Sequence, residues 1–313
     1  MEVNPKVSII MATYNREKYI VESLKAIQNQ TYTSWECIII DDGGSDNTAK
    51  IIAPILEKDE RFKFYTRTSK YKKGPSCRNY GLDLAKGDYI IFFDDDDIPH
   101  PQNLEICTSE LDKRNISFCR YVREVFHMPE FNYKFDYSKE YSFFNIDLKD
   151  IENMIKDKLQ FNCCAVMWKR ECFDENRFAE GLMYAEEWEL YSRIVSSGFK
   201  GISISKTLFY GRKHENSSTG NFYKNDPIRR ASFAKATLLA IENLKKKKLL
   251  THSIIKYFVI FSYYYKDFDL YQNSMQLLAL SRFERLKWNL FYFILPLRIS
   301  IYSLKKKVNN KIG

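Results

Sequence analysis

Apolar and polar residues alternate between two periods along the first hundred positions. Val7-Ser-Ile-Ile-Met11 and Trp35-Glu-Cys-Ile-Ile-Ile40 are short, nearly continuous apolar runs, the pattern of strands buried on both faces. Between them, Glu17 to Gln30 carries Ile20, Leu24 and Ile27 at helical spacing. Ser45 or Asp46 is placed to cap a second helix, which runs through Ile51, Ile52, Ile55 and Leu56. Phe62-Lys-Phe-Tyr65 predicts a short strand, and Gly74 to Ala85 a helix ending on Gly87 as its C-cap. Asp88-Tyr-Ile-Ile-Phe-Phe93 then predicts a buried strand, followed by a helix with Pro101 in its first turn. Repeated strand–helix alternation with short loops points to a parallel α/β sheet of nucleotide-binding type.

The period weakens from 116 to 182, a stretch rich in Phe and Tyr. A helix is expected over Ala185 to Ser197 with Gly198 closing it, then strands near Gly201-Ile-Ser-Ile204 and Leu208-Phe-Tyr210. From about Pro227 the pattern is helical throughout. Its longest apolar run, Leu290 to Leu297, is shorter than the roughly 20 residues of a spanning helix and contains Pro296. With Lys305, Lys306, Lys307 and Lys311 behind it, the segment reads as an amphipathic helix lying on an anionic membrane surface. A helix packed on the catalytic domain with a solvated basic tail is the competing reading.

The chain has 313 residues, 45% of them hydrophobic, which permits a sizeable core. A formal charge of +9 calls for an anionic partner. The basic excess beside aromatic and aliphatic runs near the C-terminus favours lipid over nucleic acid. Seven cysteines show no CxxC spacing, and an odd count without a leader-like N-terminus predicts reduced thiols and a cytoplasmic setting.

Candidate chemistry begins with Asp94-Asp95-Asp96-Asp97, released at the C-terminal end of the predicted strand. Four adjacent carboxylates repel one another, and a divalent cation is the simplest relief. Ligands of open α/β sheets bind at that same edge. The other strand ends supply Ala12-Thr13-Tyr14-Asn15-Arg16 and Asp41-Asp42, where a carboxylate can accept the N3–H of uracil or serve a turn. Gly74-Pro-Ser-Cys-Arg78-Asn79 opens a helix, combining a cation with free backbone N–H groups suited to a diphosphate.

Val7 to Asn15, Ile40-Asp-Asp-Gly-Gly-Ser-Asp46, Arg78-Asn79, Phe93 to Asp97 and Glu186-Glu187-Trp188, in this order, resemble the family-2 inverting glycosyltransferases of bacterial polysaccharide biosynthesis. The resemblance covers roughly residues 6 to 220 and implies a GT-A fold: a Rossmann-like mixed sheet with helices on both faces. It divides the chain into a transferase domain, 1–225, and a basic helical extension, 226–313. Residues 1–115 would form the nucleotide-binding half and 116–225 the acceptor half. It implies a nucleotide-sugar donor, usually UDP-linked, held with Mn2+ or Mg2+. On the family pattern Thr13 and Asp42 would contact the uridine; Tyr14, Asn15, Arg78, Asp94 and Asp95 are the further residues expected to bind the donor. Asp94 and Asp96 would be the ends of a DxD element, with Asp96 the most direct metal ligand. Asp95 and Asp97 are left to set the loop, hydrogen-bond the sugar or stay solvated.

Inversion by one displacement needs a carboxylate base and no enzyme nucleophile. The base expected is Glu187, with Glu186 second, although acidic first turns also stabilise helices without catalysing anything. The family usually has Glu-Asp here, so Glu-Glu moves the carboxylate by about 1.5 Å. Tyr210-Gly-Arg212-Lys213-His214-Glu-Asn-Ser217-Ser218 resembles the family's Arg-x-His-x-x-Ser loop. It offers His214 to the metal, Arg212 or Lys213 to the diphosphate, and a lid between Lys213 and Asn225. A lipid-linked saccharide acceptor at the cytoplasmic face of the inner membrane is the expected setting. A nucleotidyltransferase would want a glycine-rich loop after the first strand, and Ala12 to Glu17 has none. A non-catalytic membrane-surface protein is the remaining alternative.

Overall fold

The computed structural model describes residues 5–68, 74–127, 131, 134–138, 140–213 and 222–312, with side chains to 299. It divides into two compact units, residues 1–233 and 234–313.

In the first unit the apolar runs become β1 (Val7–Thr13), β2 (Trp35–Asp41), β3 (Phe62–Thr66) and β4 (Tyr89–Phe92). They pair in parallel in the order β3-β2-β1-β4. Every residue of β2 and β4 is buried, as continuous apolar runs in a covered parallel sheet require. Helices α1 (Ile20–Gln28), α2 (Thr48–Lys58), α3 (Gly74–Leu84) and α4 (Asn103–Lys113) alternate with these strands. Asp46 accepts the Thr48 N–H at 2.9 Å, so it serves the start of α2. Pro101 lies before α4 rather than in its first turn.

The parallel sheet continues into a mixed one. Short β5 (Ile98–Pro99) follows the acidic loop, then β6 (Phe118–His127), β7 (Phe143–Ile146), β8 (Val166–Lys169) and β9 (Gly201–Lys213). The order runs on as β4-β8-β6-β9-β5, with β8 antiparallel to β4 and β6, and β7 on β9. The two strands expected around 201–210 are one strand of 13 residues, because the intervening Ser205-Lys206-Thr207 keeps extended backbone. Helices α5 (Ile151–Ile155) and α6 (Glu186–Ser196) pack against each other. All seven cysteines are free and buried.

Gly87 does not cap α3 in a left-handed conformation, unlike Gly198, whose φ of +96° follows the end of α6. Its role is close approach. A Cβ at 87 would lie 2.5 Å from the Ser8 nitrogen and 2.7 Å from the Val7 carbonyl carbon. The chain entering β4 therefore passes directly against β1, and Ser8 Oγ accepts the Gly87 N–H at 2.8 Å. Ser8 in turn donates to the buried Glu36, which also takes the Lys86 N–H and Lys63.

In the second unit, α7 (Pro227–Lys246) crosses the boundary between the units. Helices α8 (His252–Tyr264), α9 (Phe268–Leu278) and α10 (Arg282–Ile312) follow. Thr251 and Asp267 cap α8 and α9 with side-chain oxygens. Trp288, Tyr292 and Leu295 of α10 are buried, with Tyr292 stacked on Tyr271 at 4.2 Å. No described helix is long and apolar enough to cross a membrane.

Gly87→Ala should lower stability by about 1–3 kcal/mol, since the clash is with backbone that cannot rotate away. Urea denaturation checks this; an unchanged midpoint would mean that β1 and β4 can spread at that point.

Candidate active site

Thr13, Asp41 and Phe92 end three adjacent parallel strands, so the loops that follow share one sheet edge. In the first loop Asn15 adopts φ +53° and its Oδ1 accepts the Ser45 N–H at 2.7 Å. That amide group ties the β1 loop to the β2 loop. Thr13 is buried, while Tyr14 is 45% exposed. Among the described residues the Thr13 hydroxyl has no hydrogen-bond partner of ordinary geometry, although it is close enough to Asp95 to favour that carboxyl's ionised form. Asp42 is buried against Arg67, whose Nε and Nη2 both reach Oδ1, at 3.0 and 2.8 Å.

The four aspartates after β4 have different surroundings. Asp94 is the open one, with its side chain 40% exposed. Asp95 accepts from Arg16 Nε at 2.9 Å, and Arg16 Nη2 lies 3.8 Å from Asp96. Asp97 accepts the Arg212 backbone N–H at 2.7 Å and lies 3.1 Å from Arg123 Nη2. Burial pushes the Asp95 carboxyl up to about 7 against the pull of Arg16. Burial, with Asp94 and Asp96 nearby, pushes Asp97 up to about 8 against Arg123. Both are buried rather than solvated, which removes one of the three roles left open for them.

Arg123 reaches Asp97 across β9. The β6–β9 register shifts on both sides of Val122, and the guanidinium crosses the backbone at Gly211, where a Cβ would lie 1.7 Å from Nη2. Only glycine leaves that passage open.

Arg78 joins the acidic loop to α6. Its Nη1 is 3.1 Å from Glu186 and its Nη2 is 3.3 Å from Asp94. Glu186 opens α6, and the residue before it, Ala185, has φ +62°. A non-glycine residue in that region carries strain of the kind that collects at functional sites. Ser232 braces the approach by accepting the N–H groups of Met183 and Tyr184 at 2.8 and 2.9 Å. Glu187 is half-buried. Burial first, then Glu186, pushes its carboxyl up to about 8.

Arg78, Asp94, Glu186 and Glu187 are thus brought together. Arg16 links the Thr13–Asn15 loop to the same acidic segment. Arg212 is a correction to the sequence reading: its side chain is 2% exposed and fully engaged within the fold. It donates to the Asp96 carbonyl at 2.8 Å, pairs with Glu22 of α1 and lies over the rings of Phe126 and Tyr19. It fastens the acidic loop to α1. His214 and residues 214–221 of the expected lid lie outside the described residues.

Among the described residues, the ligand atoms of Asp94, Asp97 and Cys164 lie within 4.8 Å of one another. Carboxylates suit a hard cation. The Cys164 thiol is soft and held protonated by burial, so it does not. Asp97 is already taken by Arg123 and the Arg212 N–H, which leaves the partly exposed Asp94 as the carboxylate of this group open to a hard cation. Arg16, Arg67 and Arg123 were not assigned from sequence. Arg16 directly follows Asn15 at the end of the β1 loop, whereas Arg67 and Arg123 carry no local signal.

A family model described as glycosyl transferase family 2 matches residues 8–176. Over 114 residues the chain is 43% identical to WfgD of Escherichia coli, named a UDP-Glc:alpha-D-GlcNAc-diphosphoundecaprenol beta-1,3-glucosyltransferase. That match covers 36% of this chain and 43% of WfgD. The chain spans less than half the length of several of the curated relatives it matches. Staphylococcus aureus TarS residues 1–349 in complex with UDP-GlcNAc aligns at TM-score 0.65 and 19% identity, over 90% of this chain and 78% of that one. Mannosyltransferase PcManGT of Pyrobaculum calidifontis, in complex with GDP-Man and Mn2+, aligns at 0.56 and 17%, over 88% and 73%. At these identities the likeness shows a shared fold, the GT-A fold.

The buried state of Asp97 has a pH signature. Its folded pKa lies above that of an unfolded aspartate, so folding takes up a proton between about pH 4 and 8. Its contribution to stability therefore falls as pH rises through that window. Asp97→Asn should flatten the decline between pH 5 and 8 by up to about 1.4 kcal/mol per pH unit, read by urea denaturation in chelator. An unaltered slope would show Asp97 ionised throughout.

Proposed function

The chain belongs to glycosyl transferase family 2, and from that premise we propose that it is an inverting, metal-dependent enzyme. It moves a sugar from a UDP-sugar to a hydroxyl of a lipid-linked saccharide. Membership sets aside the nucleotidyltransferase alternative. The observation that carries the site assignment is Arg78, which holds Asp94 of the acidic loop and Glu186 of α6 at once. A cation candidate and a base candidate therefore flank one point.

Asp94 and Asp96 would hold Mn2+ or Mg2+, with His214 as a further ligand. When bound, that ion supplies Lewis-acid stabilisation of the charge that develops on the departing diphosphate. Thr13, whose buried hydroxyl has hydrogen-bonding capacity to spare, and Asp42, oriented by Arg67, would take the uridine. Tyr14 lies beside them, and Asn15 keeps their loop in place. Glu187 would accept the proton of the acceptor hydroxyl as its oxygen attacks C1 from the face opposite the leaving group. A carboxylate whose pKa burial has raised is a stronger proton acceptor once ionised, which suits a base near neutral pH. Arg78 holds Glu186 and so fixes the helix start that presents Glu187.

The donor nucleotide is supported by TarS, whose structure contains UDP-GlcNAc, and by the printed donor of WfgD. The acceptor class is supported by WfgD, named for a diphosphoundecaprenol saccharide. Such an acceptor would place turnover at the cytoplasmic face of the inner membrane, with the basic segment 226–313 nearest the lipid and the enzyme peripheral.

A panel of UDP-, GDP- and TDP-sugars, read by nucleotide release, tests the donor; turnover with GDP- or TDP-sugars alone would refute the uridine assignment. Glu187→Gln should lower kcat by about 100-fold or more with donor KM little changed. Glu187→Asp should keep measurable turnover. A larger loss in Glu186→Gln than in Glu187→Gln would exchange the two roles.

A further inference from the structure

Charge is divided unevenly between the two units. Residues 234–313 hold 15 of the 49 Lys and Arg but only 4 of the 40 Asp and Glu, a net of +11. The first 233 residues are left at −2. The basic character of the chain therefore belongs to the helical unit alone.

Within that unit α10 has two apolar faces. One carries Trp288, Tyr292 and Leu295 and is buried against α8 and α9. Tyr271 fixes its rotation by donating to Asn289 at 2.7 Å. The other carries Phe283, Leu286, Leu290, Phe293 and Leu297, at intervals of three and four residues, each 62–68% exposed. Five large apolar side chains in one uncovered stripe are far more than scattered surface hydrophobics. The charges beside the stripe are Arg282, Arg285, Lys287 and Arg298 against a single acid, Glu284. Lys287 Nζ lies 4.2 Å from the Phe283 ring centroid, its stem along the apolar surface and its charge at the margin.

We propose that this stripe of α10 lies in the interfacial zone of a bilayer rich in anionic lipid, with its basic flanks against the headgroups. The proposal deepens the membrane-surface reading above by naming the inserting face, and it does not depend on the donor. A helix of this kind buries its apolar side by several ångströms and gains from anionic headgroups in proportion to its charge. A second copy of the helix fits less well. Seam-flanking positions of a coiled coil favour opposite charges, and here they hold Lys287, Asn289, Ile294 and Pro296. Spanning does not fit, since α10, though 31 residues long, has no apolar stretch among its described residues long enough to cross a bilayer.

The test is sedimentation of the full chain with vesicles of phosphatidylglycerol and phosphatidylcholine, or of phosphatidylcholine alone. The parent should bind the anionic vesicles, and binding should weaken at high salt. The double variant Leu290→Glu/Phe293→Glu should bind them at least about tenfold more weakly, with its circular dichroism unchanged. Phe293→Trp, a mild change, should add indole fluorescence that brominated acyl chains quench. A parent that ignores anionic vesicles would overturn the membrane-surface reading as a whole. Parent-like binding by the double variant, or added fluorescence in Phe293→Trp that brominated lipid leaves unquenched, would overturn the face alone. A concentration-dependent dimer abolished by the double variant, without vesicle binding, would assign the stripe to a second copy. A fall in melting temperature with vesicle binding intact would assign it to the protein's own surface.

Discussion

Three of the four carboxylates at the end of β4 are buried, and each buried carboxylate needs a counter-charge or a proton. That requirement shapes the whole sheet edge. Arg16 arrives from the loop after β1, Arg123 from β6 and Arg212 from the end of β9, so distant parts of the chain converge on four consecutive residues. Each guanidinium takes a different point of that loop: Arg16 takes Asp95, Arg123 takes Asp97, and Arg212 takes the carbonyl between them as well as Glu22 of α1. The loop is held from beneath, and Asp94 is left outermost.

Holding the loop this way gives the four aspartates separate roles. Asp95 and Asp97 are paired with Arg16 and Arg123, and burial raises both carboxyls. Asp94 keeps its exposure and shares Arg78 with Glu186. The mixed sheet makes this contact possible. Antiparallel β8 beside β4 brings the second half of the chain back to the same edge, and α6 starts there after the strained Ala185. A chain with only the parallel half could offer the nucleotide side of such a site without a base.

The elements of the first hundred residues were legible because buried parallel strands and amphipathic helices leave different periods in sequence. The strand end bearing four carboxylates was legible as chemistry because no packing argument produces it. Between 116 and 182 the reading stopped, for β6 and β8 take partners far away in the chain and β7 lies largely exposed. Arg123 illustrates the limit. Its value lies in a register shift and in Gly211 opening a path to Asp97, and neither is a local property. Arg212 shows the opposite limit: a basic residue beside a Ser- and Asn-rich loop suggests a ligand, yet its side chain turns inward to Glu22 of α1. Gly87 ends a helical pattern in sequence, but its constraint comes from β1.

On the proposed function, this carboxylate edge binds a nucleotide diphosphate through a divalent cation. Calorimetric titration of UDP into the protein, with Mn2+ and with chelator, tests it most directly. The expected result is binding that requires Mn2+ in the parent and is lost in Asp96→Asn while the fold persists. UDP binding of equal strength with and without the ion, or retained in Asp96→Asn, would contradict it.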